Sequence, residues 1–309
     1  MARVLVVGAT GLLGNEVSHR ARTAGHQVRV LVRAGSAGRP RLEAFGCEPV
    51  EGDLKDGASL DIACRDIDVV VTTANSMLSK RTGDSLESVD RKGSLDLVSA
   101  ASRARVKRFI YTSVSPQFTD NVPFIRHKRE VERAVRASGM TWFILQPTAF
   151  MEIHAGPVGG WDLRKGHVRT SGDGRTPIGY ISVHDVAAFA AAAITQANGN
   201  RDLLLAGPEP LSARDAIQIA ERETGKRFKV QRLPLPVLKI ARPLVEPFNP
   251  TLGSLLSMIV EQEQTPVALP VAPYAEFNVV PTTFADYVRR HVTGQEDFMR
   301  AADVNGSSR

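Results

Sequence analysis

Three glycines spaced three residues apart, Gly8, Gly11 and Gly14, follow an apolar run in "LVVGATGLLG". The chemistry this pattern suits is the holding of a phosphate. Glycine lets the backbone approach a pyrophosphate, and a helix starting there offers unpaired N–H groups with a partial positive charge. Gly8 is expected to make the turn, Gly11 the close approach and Gly14 the contact between helix and strand. Thr10, Leu12 and Leu13 are expected to complete the loop's contacts with the ligand. The spacing G-x-x-G-x-x-G is one residue wider than the standard dinucleotide fingerprint, so it carries meaning only with a strand before it and a helix after it.

A second chemical signal stands about 20 residues further on. There, dinucleotide sites choose between an acid for a ribose 2′-hydroxyl and an arginine for a 2′-phosphate. "VRVLVRAGSAGRPR" places Arg33 at that point, with Arg39 and Arg41 close behind and no acid before Glu43. A guanidinium pairs with phosphate through two hydrogen bonds, whereas a carboxylate repels it. These residues point to NADP over NAD, the plainer reading of Arg33 being a solvated strand end.

The elements that must position these groups alternate along the chain. Strands are expected at Val4–Gly8, Gln27–Arg33, within "CEPVEGDL", and at Asp66–Ala74, Val106–Val114 and Met140–Pro147. Helical patterns fill Leu12–Ala24, Leu86–Ala104 and Phe124–Ser138. Near-continuous apolar strands separated by helices imply an α/β fold, a Rossmann-type parallel sheet with helices on both faces. Residues 1–150 are read as this dinucleotide-binding core. Residues 151–309 are read as a smaller, mainly helical substrate lobe, some of whose elements return to the core sheet, ending in a polar tail after Gln295. An Asp185 before an Ala-rich helix reads most simply as an N-cap.

Composition removes several classes of function. At 309 residues and 43% hydrophobic, the chain can bury a large core without staples. The net charge of +6 is scattered among acids, and aromatics are only 6%, which argues against a nucleic-acid platform. Cys47 and Cys64 form no CxxC and no cluster with histidine, so neither a disulfide framework nor a metal site is expected. Buried free thiols in a reducing cytosol fit better. The apolar start after Arg3 is broken by glycines, unlike a secretory signal, and no run approaches the ~20 residues of a membrane span. A cytoplasmic protein with a small-molecule substrate is expected, of a subunit number that the sequence leaves open.

"GATGLLG", "VRVLVR", "VEGDLKD", "VKRFIYTSV" and "KREVERAVRASGMTWFILQPTAFME", in this order, resemble the atypical short-chain dehydrogenase/reductases of the NmrA-like, NAD(P)-binding group. The resemblance runs from Ala2 to about Gly207. It implies that Asp53 and Leu54 border the adenine, and that Thr73, Ala74 and Asn75 line the middle of the cofactor, with Pro147 also in contact. A strand-end turn is the structural alternative for Asn75.

Tyrosine-dependent relatives carry Tyr-x-x-x-Lys on the helix after the fifth strand, where the tyrosine handles the substrate proton. Here that window reads "FIRHK", with Phe124 in the tyrosine's place and Lys128 retained. None of Tyr111, Tyr180, Tyr274 and Tyr287 is followed by lysine four residues on. The benzylic-ether and isoflavone reductases of the family assign an acid/base role to a lysine on this helix. Lys128 could play that part, or bind the nicotinamide ribose, or be a solvated lysine in a charged run. Ser113 stands where the family's active-site serine lies and could orient a substrate oxygen or simply satisfy the strand end. His127, next to Lys128 in sequence, should face another way, and the sequence does not choose between His154 and His167. The resemblance implies an NADPH-dependent reductase of a small quinone, enone or aromatic-type acceptor. A non-catalytic redox sensor is the alternative, and the missing tyrosine argues against a nucleotide-sugar epimerase or dehydratase.

Overall fold

β-branched runs such as "VLVV" and "VVVT" favour extended chain, and here they lie side by side in one parallel sheet. A computed structural model describes residues 1–265 and 273–294. The sheet contains β1 (Arg3–Val7), β2 (Gln27–Val32), β3 (Glu48–Glu51), β4 (Val69–Thr72), β5 (Arg108–Thr112), β6 (Thr141–Pro147) and β7 (Arg201–Leu205). Their order is β7-β6-β5-β4-β1-β2-β3. Every pairing is parallel, with Val4 opposite both Val28 and Val69.

Successive side chains of a strand point to opposite faces, and both faces are covered. Val4 and Val6 pack against α1 (Leu12–Thr23) and α6 (Val183–Ala193) through Val17, Val186 and Phe189. Leu5 and Val7 pack on the other face with α3 (Gly57–Ala63), α4 (Ser94–Arg103) and α5 (Pro123–Ala137) through Leu60, Leu97 and Val131. The short α2 (Arg39–Ala44) precedes β3. The chain order reverses between β1 and β4, and in such sheets the crevice at the carboxyl ends of those two strands is where ligands bind.

Two sequence expectations are corrected. The helix expected over 86–104 is two elements, a π-helix at Leu86–Gly93 running into α4. Ser85 and Ser88 close its start as a reciprocal cap, and Gly93 lets the wide turn press on Leu54, where a Cβ would lie 2.8 Å from the Leu54 carbonyl oxygen. Asp185 is not the N-cap of α6. Ser182 is, accepting the His184 N–H, while Asp185 sits in the first turn and receives Thr282.

Beyond residue 150 the chain builds a second core while still contributing to the first. Helices Leu235–Val245, Pro250–Gln264 and Phe284–Thr293 and a small sheet that includes His167–Ser171 and Lys229–Leu233 form the added lobe. Its core gathers Trp161, Tyr180, Phe284 and Tyr287. The segment between them returns to the main sheet: β7 pairs with β6, Leu203 opposite Leu145, and α6 lies on α1. The polar tail after Gln295 lies outside the described residues. Among those described, no helix is long and apolar enough to cross a membrane.

Candidate functional site

The glycine loop has the geometry its spacing implied. Gly8 leaves β1 in the left-handed region at φ +85°, and a Cβ there would lie 2.8 Å from Ala74 N. Gly14, in the first turn of α1, lies so close to the turn that a Cβ would stand 2.3 Å from Gly8 O and 2.7 Å from Thr73 Oγ1. Gly11 is the N-cap, and its Cβ would meet Gly8 O at 3.3 Å, so space inside the loop is a weaker constraint there. No side chain caps α1 and no acid stands in its first turn. Its leading N–H groups therefore face the β1/β4 crevice with a partial positive charge, and a pyrophosphate fits that cradle.

The neighbouring strand ends carry the other expected contacts. Thr73 Oγ1 is 3.4 Å from the carbonyls of both Val7 and Gly8, tying β4 to the turn. Ala74 is half-buried beside it, and exposed Asn75 folds its Oδ1 back to accept the Met77 N–H at 3.2 Å, a strand-end turn. Thr10 lies against Gly38, where a Cβ would be 3.0 Å from its Cγ2, which packs the turn after β2 against the glycine loop. Leu13 and Leu54 are buried and Leu12 is half-buried. Buried Pro147, at the end of β6, accepts the Ser115 N–H at 3.1 Å.

Arg33 does not project freely. Its Nη1 donates to Asp84 Oδ2 at 2.7 Å, while Lys55 Nζ donates to Asp84 Oδ1 at 2.6 Å and Ser79 Oγ to Oδ2 at 2.5 Å. Burial alone would raise the Asp84 carboxyl, but the hydrogen bonds from Lys55, Ser79 and Arg33 outweigh it and bring it down to about 2. Asp53 accepts the Lys55 N–H at 2.9 Å through Oδ1, with Oδ2 3.9 Å from Lys55 Nζ. Arg39 and Arg41 turn elsewhere, one to Glu43 and the other over the Phe45 ring.

Lys128 is buried, at 3% exposure. Its Nζ donates to the carbonyl of Thr112, the last residue of β5, at 3.2 Å, and lies 5.0 Å from the centre of the Tyr111 ring and 5.4 Å from that of Phe124. Burial lowers its pKa, against the pull of Asp90 first and Glu132 second. Asp90, on the π-helix, is fully buried, and its Oδ2 accepts both the N–H and the hydroxyl of Ser76. Burial raises its pKa, with the Lys128 charge opposing. Asp90 Oδ1, the Tyr111 hydroxyl and Thr112 Oγ1 are buried without a hydrogen-bond partner among the described residues. Around Lys128, then, lies polar capacity that the resting fold does not use.

Ser113 is built into a different cluster. Its hydroxyl donates to Glu132 Oε1 at 2.5 Å, an oxygen that also accepts Arg129 at 2.6 Å and Gln146 at 3.3 Å. Its proton is committed there and not directed toward the crevice. His127 turns its Nδ1 to the Leu86 carbonyl at 3.2 Å, and His154 its Nδ1 to that of Phe150 at 3.1 Å, with burial lowering the His154 pKa. His167 is exposed on its strand. Cys47 and Cys64 are buried free thiols, the second pushed up to about 12 mainly by burial.

Residues 1–270 match the NmrA-like family. The chain belongs to that family. It is 31% identical to the photosystem II assembly factor Ycf39 of Cyanophora paradoxa over 77% of this chain and 74% of that one. It is 30% identical to (4-alkanoyl-5-oxo-2,5-dihydrofuran-3-yl)methyl phosphate reductase of Streptomyces griseus, over 87% and 90%. Its fold is shared by the NADPH-dependent quinone oxidoreductase QOR2 of Escherichia coli, crystallised with NADPH, at TM-score 0.74, with 20% identity and 93% and 99% coverage. A named reductase and a named assembly factor thus stand at similar sequence identity to this chain.

Asp90, Lys55 and Asp84 escaped the sequence reading, and Tyr111 entered it only as a tyrosine with no lysine four residues on. Asp90 left a usable signal: Leu86, Val89, Asp90 and Gly93 stand at i, i+3, i+4 and i+7, so an acid sits in an inward-facing stripe. The Arg33–Asp84 contact spans 51 positions and left none.

Proposed function

We propose that the chain is a cytoplasmic, NADPH-dependent reductase that passes hydride to a small quinone, enone or aromatic-type acceptor without a tyrosine on α5. Support for dinucleotide binding comes from the uncapped start of α1 behind Gly8 and Gly14, and NADP is favoured by Arg33 at the end of β2. The observation that carries the enzymatic reading is Lys128. A buried ammonium with one hydrogen bond among the described residues, at the carboxyl end of the strand beside β4, is costly unless it has work to do. Named reductase activity in a relative 30% identical to this chain supports the same reading.

Bound NADPH supplies the hydride. The glycine loop binds the pyrophosphate, Arg33 faces the 2′-phosphate, and Lys128 either donates the proton that follows the hydride or fixes the nicotinamide ribose. Phe124 and Tyr111 keep water from the Lys128 amine and hold its pKa down. A conjugated acceptor, once reduced, takes its proton from an ammonium or from water, so the reaction does not demand a tyrosine.

The sensor reading has its own support, since Phe124 covers Lys128 and an assembly factor stands among the relatives. Turnover separates the two. With NADPH and a series of quinones, wild type is expected to consume NADPH, and Lys128→Ala to lose about 10²-fold or more in kcat, with NADPH affinity kept if Lys128 is the proton donor and weakened if it fixes the ribose. NADPH binding with strong preference for one oxidation state and no consumption by any acceptor would establish the sensor instead.

A further inference from the structure

Helix Leu235–Val245, "LPVLKIARPLV", is apolar on nearly every side, yet it lies on the surface. Such a helix is ordinarily buried in a protein or set against lipid. Leu238 faces inward and anchors it. On the outer side Val237, Ile240 and Leu244 are each more than half exposed, at the i, i+3, i+7 spacing of one helix face. Phe248 continues the row four residues on, just past the helix, and is 90% exposed. The next helix, Pro250–Gln264, packs beside it with Gly253 close against Glu246, and adds exposed Leu252 and Leu255.

The only polar side chains of helix Leu235–Val245 are Lys239 and Arg242, both cations. Lys239 is exposed and Arg242 half-buried. The same bias runs back through Lys229–Leu233, the edge strand of the small sheet, all of whose residues are exposed. From Lys226 to Phe248, Lys226, Arg227, Lys229, Arg232, Lys239 and Arg242 are set against a single acid, Glu246. Arg227 pairs with Glu221, but Lys229, Arg232, Lys239 and Arg242 make no ion pair with a described residue. A contiguous apolar stripe left in water marks a contact outside the chain, and charge and shape say with what. A second copy of this face would bring cation against cation. Protein partners take a few anchors into well-packed pockets, whereas these side chains stand out of the surface in a row. Protruding aliphatic groups beside lysine and arginine suit the boundary between headgroups and acyl chains of an anionic bilayer. An eleven-residue helix is about 16 Å long, half the hydrocarbon thickness, so it would lie in the membrane plane and not cross it.

We propose that helix Leu235–Val245 and the turn to Phe248 seat the protein on the surface of an anionic bilayer. Val237, Ile240, Leu244 and Phe248 enter the lipid. Lys239 meets the headgroup phosphates, and Lys229 and Arg232 add to the positive potential there.

Co-sedimentation of the full chain with vesicles of phosphatidylcholine, alone or mixed with phosphatidylglycerol, tests this. Wild type is expected to bind the anionic vesicles more tightly than the neutral ones, and less tightly as salt rises. Phe248→Ser should weaken binding to the anionic vesicles by about tenfold or more. Arg232→Gln combined with Lys239→Gln should weaken it by about tenfold and leave binding to phosphatidylcholine unchanged. These side chains are exposed, so the variants should unfold at the wild-type temperature. No binding to either vesicle would overturn the docking and leave the stripe to a protein partner. Equal binding to both vesicles, or variants that bind like wild type, would overturn it as well. A wild-type dimer in sedimentation velocity that Phe248→Ser turns into monomers would assign the stripe to a second copy. A lowered unfolding temperature in Phe248→Ser would show that the chain itself covers that side chain. Either result would overturn the docking too.

Discussion

Lys128 meets two carboxylates in different situations. Glu132 is already engaged by Arg129, Arg136, Ser113 and Gln146. Asp90 has only Ser76 as a hydrogen-bond partner among the described residues, and is the stronger of the two in holding the Lys128 proton against burial. If Lys128 donates a proton, the reactive form is the ammonium. The rate then stays level on the acid side and falls as pH rises through a pKa already below that of an ordinary lysine. Asp90→Asn removes the negative charge that favours the ammonium, so burial acts with less opposition and the pKa drops further. The alkaline limb of the kcat/KM profile should therefore move to lower pH in Asp90→Asn, with the acid side unaltered. A limb that stays in place would mean that Asp90 does not act on Lys128, and a limb that moves upward would contradict the sign of the coupling. Ser113, with its proton on Glu132, is expected to show no such shift when changed to alanine.

At the scale of the element, β1, the glycine turn and α1 act as one unit, and the two later glycines divide its duties. Alanine at position 14 would put a Cβ 2.3 Å from Gly8 O, a backbone atom that cannot swing aside, so β1 and α1 must separate. At position 11 the nearest atom is 3.3 Å away, which small adjustments accommodate. Gly14→Ala is expected to cost about 1–3 kcal/mol in urea unfolding and to abolish NADPH binding. Gly11→Ala should cost clearly less stability, its effect falling on the ligand that must approach it. Similar losses of stability from both would show that the turn is not organised around Gly14. This unit was legible in the sequence because everything it needs is local: the apolar run, the glycine spacing and the helix that follows. The main strands were legible for the same reason. The π-helix was not, because "LESVDRKGSLDLVSAA" has the period of an ordinary helix and its wide turn is set by packing on Leu54. Nor was the pairing of Arg33, since the acid that holds it arrives from a different crossover of the sheet. The cap of α6 was misplaced by three residues because an acid in a first turn and a serine N-cap are both favourable there, and only the tertiary pull of Thr282 sends Asp185 inward.

Across the whole molecule, the added lobe must be held against the sheet for any substrate to be enclosed between them, and a few polar contacts make the join. Glu261 accepts both the N–H and the hydroxyl of Thr119 ahead of α5, and the Ser254 hydroxyl accepts the Phe124 N–H. Glu152 accepts the Ser182 hydroxyl and the Val183 N–H at the start of α6. Asp185 makes a buried join, taking the Thr282 hydroxyl at 2.6 Å on one oxygen and the Thr282 N–H at 2.9 Å on the other, with Tyr274 at 3.4 Å. Burial raises the Asp185 pKa, so the carboxylate is tolerated only while these donors remain. Replacing it by alanine leaves a buried N–H and a buried hydroxyl unsatisfied, a loss of about 1–3 kcal/mol for each group left without a partner. That loss falls on the segment from Tyr274 to Thr293, while β1 to β6 keep their ladders. Asp185→Ala should thus speed hydrogen exchange in helix Phe284–Thr293 well before the sheet amides respond. On the function proposed above, in which the sheet and its turns hold the dinucleotide and the lobe covers the acceptor, dinucleotide binding should survive and turnover should fall. Uniform acceleration of exchange across the sheet as well would show that lobe and core open as one cooperative unit, and that Asp185 supports the whole fold and not the closure of the site.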